Sequence, residues 1–344
     1  MMGPVYLPSS TASPMMGPVI AGFILGLVLL FAVPFTVEAQ QPTTHSPRIG
    51  WLVFGGPFLE TAPELEASLL QGLRGLGYVD GKTVTIEYRY AHGQTARLED
   101  LAAELARSRV DILTGMGGDI AAALKKATNT IPIVVAMSTD PVRSHLAASF
   151  SRPGGNLTGV SFLFDELAAK RVELFREILP NDSRLAVVWD PSHVDNDFTE
   201  IRTAAQRHNI KLQTLELRRP ADLDAAIQAA AQGRAATLIV VPGRLTAFLS
   251  KRIIDAAMER RIPIISGWRE FAERGAVLTY GPNRVESAKR LAFYIDRIVK
   301  GAKPSDLPIE QPTRFELVIN LKTAKALGLT IPPSLLLRAD QVIE

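Results

Sequence analysis

Apolar runs of strand length alternate with helix-length amphipathic segments along most of this chain. The alternation starts afresh after residues 152–160, RPGGNLTGV. The first series reads as a strand at Arg48–Phe54, closed by Gly55-Gly56-Pro57, and a helix at Ala62–Leu76. That helix carries Leu65, Leu69, Leu73 and Leu76 at helical spacing, with Gly77 placed to end it. Then come a strand at Thr83–Tyr90, a helix at Leu98–Ala106, a strand at Val110–Thr114, a helix at Ile120–Ala127 and a strand at Ile131–Ala136. The second series starts with helix Leu163–Leu179, strand Arg184–Trp189, helix Thr199–His208 and strand Lys211–Leu217. It continues with helix Asp222–Ala231, strand Thr237–Val241, helix Thr246–Arg260, and strands Ile262–Ile265 and Ala276–Tyr280. Helix Ser287–Lys300, a loop at Gly301–Pro308 and a last strand and helix within Pro312–Leu327 complete it. Strands that alternate with helices of these lengths form parallel sheets covered on both faces. Two such series imply two α/β lobes, which suits 344 residues. A Pro-Gly-Gly-Asn turn followed by a β-branched run suits the exit from one lobe, with Leu157–Val160 starting the crossing. Two lobes joined by crossing strands enclose a cleft for a small molecule.

In sheets of this kind ligands sit beyond the carboxyl ends of the strands. The candidate binding residues are therefore Phe54, Gly55, Met116, Gly117, Gly118, Ser138, Thr139 and Asp140 in the first half. In the second half they are Asp190, Gly243, Gly267, Trp268 and Tyr280. Each has a structural alternative. Gly115-Met116-Gly117-Gly118 is either a tight strand-to-helix turn or a set of backbone N–H groups aimed at a ligand anion. Asp140-Pro141 and Asp190-Pro191 fit helix caps with Pro at the first helical position as well as they fit a ligand ammonium or hydroxyl. Phe54, Trp268 and Tyr280 are either packing residues or platforms on which a ligand stacks.

Composition removes several function classes. There is no cysteine, which excludes disulfides, thiolate metal sites, cysteine nucleophiles and the cysteine of a lipoprotein anchor. The formal net charge is +3 and no dense Lys/Arg block occurs, so a nucleic-acid surface is not expected. His45, His92, His145, His193 and His208 are scattered without metal-ligand spacing. Gly159-Val160-Ser161-Phe162 runs on to Leu163 and is not a nucleophile elbow; no phosphate loop occurs. The reading is a binding protein, not an enzyme, with no cofactor and no metal.

The first residues carry an address. Val19–Val33 is an uncharged apolar run, and Val37-Glu38-Ala39 offers small residues at the spacing of a leader-peptidase site. Cleavage is expected after Ala39, making residues 1–39 a signal peptide and the mature protein periplasmic or extracytoplasmic. The basic residues usual ahead of such a run are missing. The rival is an uncleaved anchor, for which about 15 residues is short against the roughly 20 of a span.

Several segments carry a resemblance. They are Gln71–Tyr78, Lys125–Val134, Asp140-Pro141-Val142, Arg152–Val160, Glu166–Arg171 and, most specific, Phe315–Ile331 (FELVINLKTAKALGLTI) with Pro332-Pro333 and the terminal Ala339–Glu344. In order and spacing they resemble the substrate-binding proteins of ABC transporters, the group that includes the tryptophan-type (TrpX) binders. The resemblance spans residues 47–344 and implies a type I periplasmic-binding-protein fold: two Rossmann-like lobes, three crossings and a ligand in the cleft. It implies a first lobe of residues 47–158 plus about 281–305, and a second of 159–280 plus about 306–344. It also implies an ABC permease and ATPase as partners and an amino acid or related compound as cargo. The membrane would be met only through the permease or an uncleaved leader. A ligand-sensing module of the same fold, feeding a membrane receptor, is the alternative. Two departures from the family pattern stand at the expected cleft rim: Asp190-Pro191 in place of Asn-Pro, and Gly117-Gly118-Asp119-Ile120 in place of Gly-Gly-Thr-Pro. The added carboxylates imply an acidic cleft suited to a cationic or amino-bearing ligand.

Overall fold

The computed structural model describes residues 46–56, 63–162, 165–180, 184–192 and 196–344. The signal peptide read over residues 1–39 lies outside them, as do Ala62 and Leu163, the expected first residues of two helices. Two sheets organise the rest. The first contains β1 (Arg48–Val53), β2 (Thr85–Tyr90), β3 (Ile112–Met116), β4 (Ile133–Met137) and β5 (Leu157–Ser161). Their order is β2-β1-β3-β4-β5 and every pairing is parallel. The helices between them are α1 (Pro63–Gly75), α2 (Leu98–Arg107) and α3 (Gly118–Ala127). Central strands are buried on both faces, which is why β4 reads IVVAM with no polar alternation. Leu65, Leu69 and Leu73 of α1 are buried as their spacing requires, whereas Leu76 falls beyond the helix end and is exposed.

The second sheet contains β6 (Arg184–Trp189), β7 (Lys211–Glu216), β8 (Thr237–Val240), β9 (Ile264–Ser266), β10 (Leu278–Pro282), β11 (Phe315–Asn320) and β12 (Gln341–Ile343). Their order is β12-β11-β10-β9-β8-β6-β7. Its helices are α4 (Asp165–Ile178), α5 (Asp197–Arg207), α6 (Leu223–Gln232), α7 (Arg244–Phe248), α8 (Ser250–Glu259) and α9 (Arg269–Arg274). After them come α10 (Arg284–Val299), α11 (Leu321–Leu327) and α12 (Pro333–Leu336). The single helix expected over Thr246–Arg260 is two, parted at Leu249, where ψ of 5° leaves the helical range. The sheet is also not wholly parallel, because β11 runs antiparallel to β10. The cause is topological. The chain leaves β10 at its carboxyl end, and α10 packs against α1, β4 and β5 of the first lobe. It therefore re-enters the second sheet from the cleft side, and the strand it forms there points the other way.

The RPGGNLTGV block is where these paths meet. Asn156 donates to the carbonyls of Thr128 and Ile131, tying the block to the end of α3 and the start of β4. Leu157–Ser161 is the edge strand of the first sheet, so the crossing expected to begin at Leu157 comes after Ser161. Gly159 has φ of 140°, and a Cβ there would lie 1.9 Å from the Val135 carbonyl oxygen. No side chain fits without parting β5 from β4. Gly159→Ala is expected to cost at least about 3 kcal/mol, read from chemical denaturation. A loss below about 0.5 kcal/mol, ordinary for a surface change, would contradict this account.

Candidate functional site

Between the carboxyl ends of the first-lobe strands and helices α7, α9 and α10 lies a cavity of about 100 Å³. One apolar cluster runs through this region, joining Trp51 and Val53 of the first sheet to Phe162, Leu245 and Trp268 and on to Val240 of the second. Among the expected residues, Phe54, Gly55, Met116, Gly117, Ser138 and Trp268 line the cavity. Trp51, Glu66, Phe162, Arg244, Phe248 and Arg284 line it as well, and none of these six was anticipated. Phe248 of the second lobe meets Phe54 of the first edge-on at 6.1 Å.

The two arginines set the electrostatics. Arg244, the first residue of α7, holds its guanidinium 4.2 Å from the centre of the Phe54 ring and pairs with Asp119 of α3. It is buried, and its Nε and Nη1 find no hydrogen-bond acceptor among the described residues. Burial pulls its pKa down to about 9, so it remains a cation at neutral pH. Its stem passes where a side chain on Gly117 would stand, since a Cβ there would be 2.6 Å from Arg244 Cδ. Arg284 lies 3.8 Å from the centre of the Trp268 ring and pairs with Glu270 of α9. Both geometries are cation–π contacts, which offset part of the cost of burying a guanidinium. The sequence reading stopped one residue short at Gly243. The one signal for Arg244 was a basic side chain just past a strand end, at a helix start where acids are the usual choice.

The sequence profile of the ABC transporter substrate-binding proteins matches residues 62–343. The chain belongs to this family. A tyrosine-binding protein of Clostridioides difficile is 24% identical over 263 residues, covering 76% of this chain and 75% of that one. A conserved domain protein of Vibrio cholerae superposes with a TM-score of 0.80 at 30% identity, over 87% of this chain and 100% of that one. An ABC domain from Streptococcus pneumoniae in complex with L-Trp gives 0.79 at 24% identity, again over 87% and 100%. The fold is that expected from the family resemblance, a type I periplasmic-binding-protein fold with two mostly parallel sheets.

Within this family member, the other expected residues are not among those that line the cavity. Gly118 and Thr139 pack on each other, a Cβ on the glycine falling 2.8 Å from Thr139 Cγ2. The N–H of Gly117 is spent on the Ala136 carbonyl at 2.8 Å, so this turn does not offer it to an anion. Asp140 Oδ1 accepts from the N–H groups of Val142 and Arg143 at 2.8 and 3.2 Å, closing a turn. Asp190 is buried, and its Oδ1 accepts from Ser192 N at 2.9 Å and Ser192 Oγ at 2.6 Å. The Gly243 carbonyl accepts from Thr246 Oγ1 at 3.0 Å at the start of α7. Gly267 and the Tyr280 carbonyl contact Arg171 of α4. The acidic cleft inferred from Asp119 and Asp190 is therefore not what these residues form. Asp190 closes a turn with Ser192 and is not among the lining residues, and Asp119 is matched by Arg244.

One further carboxylate lies near Arg284. Glu64, in the first turn of α1, has its Oε1 buried without a donor among the described residues. Loss of water raises its pKa above the usual 4.5, and the neighbouring charge of Glu270 adds to the rise. A carboxyl whose folded pKa exceeds its unfolded value weakens the fold at neutral pH. The penalty fades as pH falls from the raised value towards 4.5. Glu64→Gln is thus expected to melt higher than wild type at pH 7.5, with the gap closing towards pH 4. Melting curves across that range that show no gap, or one that widens towards acid, would refute the assignment.

Proposed function

We propose that this substrate-binding protein works outside the cytoplasm, capturing an amino acid with an apolar, preferably aromatic, side chain for an ABC importer. The observation that carries the reading is the composition of the interlobe cavity. Its walls include Trp51, Phe54, Phe162, Phe248 and Trp268, and among the described residues one carboxylate, Glu66, and two guanidiniums, Arg244 and Arg284, line it. Apolar walls with a few charges of both signs suit a zwitterion on an apolar body. The tyrosine-binding relative and the L-Trp complex of the streptococcal domain point to the same class of ligand. The present cavity is small because Arg244 and Phe248 of the second lobe lie on Phe54 of the first. Hinge opening lifts both away and admits the ligand, and closure brings them back. Delivery to a permease and its ATPase, after export by the N-terminal leader, completes the reading.

The test is a thermal-shift series with L-tyrosine, L-tryptophan, L-phenylalanine, L-leucine and L-lysine. A ligand present at a hundred times its Kd adds about 2.7 kcal/mol of stability. The aromatic acids are expected to give that shift and L-lysine none. A protein that L-lysine stabilises more than any apolar amino acid would return the site to the cationic class.

A further inference from the structure

We infer that Arg244 receives the ligand's carboxylate, and that the compound this chain selects is a carboxylic acid rather than an amine or a neutral analogue. This rests on the interlobe cavity being the ligand site. A buried cation with vacant donors is costly unless something completes its shell. Arg244 is in that position, with Nε and Nη1 both without an acceptor among the described residues, whereas Arg284 leaves only Nε so and has Glu270 bonded to it and Glu64 close by. Its fixed partner supplies one contact through Asp119 Oδ2. Asp119 can share the guanidinium without being stranded. Its other oxygen accepts from Ile120 N at 3.1 Å, and it sits in the first turn of α3, where the helix favours negative charge. The bare Gly117 leaves room for the Arg244 stem beside that helix end. Arg244 belongs to the second lobe, while Phe54 and Asp119 belong to the first. An anion on the vacant donors therefore binds at the seam that closure makes.

Calorimetry of the full mature chain against matched pairs tests this. The pairs are L-tyrosine with L-tyrosinamide, L-tryptophan with L-tryptophanamide and L-leucine with L-leucinamide; 3-(4-hydroxyphenyl)propionate is added as an acid without an ammonium. Wild type is expected to bind each acid about 100-fold more tightly than its amide, the usual size of a desolvated charge contact. Arg244→Gln is expected to erase that gap by weakening the acids and sparing the amides. A purely structural arginine would weaken both alike. Asp119→Asn, which leaves Arg244 short of its fixed counter-charge, is expected to tighten the acids. The wild-type comparison needs no variant, so a failure of Arg244→Gln to fold does not rescue the idea. If acid and amide bind equally to wild type, the assignment of Arg244 fails and the amino-acid reading stands. If the propionate binds and no amino acid does, the amino-acid reading fails and Arg244 stands. Binding of no acid in the series overturns both.

Discussion

The geometry of the cleft depends on how the last pass of the chain between the lobes is fastened to the edge of the first sheet. Glu310 N donates to the Gly159 carbonyl at 2.9 Å, and Ser161 N donates to the Glu310 carbonyl at 2.8 Å. Thr158 Oγ1 reaches the Leu307 carbonyl at 2.8 Å, and the Tyr294 hydroxyl reaches that of Pro308 at 2.6 Å. Arg290 of α10 grips the Glu310 carboxylate with two bonds of 2.7 and 2.6 Å. These contacts make one closed path: out of β10, along α10 on the first lobe, past β5, and back into β11. Arg284 begins α10, so its place over Trp268 is set by that path. Most of the bonds are to backbone, which fixes the route more firmly than exposed side-chain pairs would.

On the far side of the cavity a buried ion pair does the corresponding positioning. Arg171 and Asp197 are both fully buried and meet at 2.8 Å. Arg171 also donates through Nε to the Tyr280 carbonyl at 3.2 Å, and its guanidinium packs where a side chain on Gly267 would stand. The turn that presents Trp268 therefore rests on Arg171. A pair of this kind adds little net stability against an apolar replacement, but losing one partner leaves a charge buried alone. Its effect is to hold Gly267 and the end of β10 in one register, and so to aim Trp268.

The series of strands and helices was legible because buried parallel strands are apolar throughout and helices repeat every three or four residues. The rule that ligands sit beyond strand ends singled out Phe54, Gly55, Met116, Gly117, Ser138 and Trp268, which line one cavity. It could not tell a residue that faces the cavity from one that props its wall. Asp140 and Asp190 close turns, and Gly267 accommodates Arg171, roles that depend on neighbours distant in sequence. Arg244 and Arg284 were missed for the same reason. A basic residue at a helix start reads as a solvated end until the opposite lobe supplies an aromatic face and a carboxylate. The antiparallel β11 was hidden because its direction follows from the route of α10, which no local pattern encodes.

The arrangement of rings and arginines also constrains what the cavity can prefer. Aromatic residues in a cleft ordinarily suggest stacking, or a cage for a cationic ligand. Here one face of Phe54 and one face of Trp268 already carry a guanidinium at 4.2 and 3.8 Å. Each guanidinium has its own carboxylate, Asp119 for Arg244 and Glu270 for Arg284, which leaves Glu66 as the only acid lining the cavity among the described residues. On the reading proposed above, an anion would find in Arg244 two donors, Nε and Nη1, without an acceptor among the described residues. The aromatic residues thus act on charge selection indirectly. By making guanidinium burial tolerable they keep the arginines in the cavity, and on the proposed assignment the arginines are what would turn an apolar cleft towards acids.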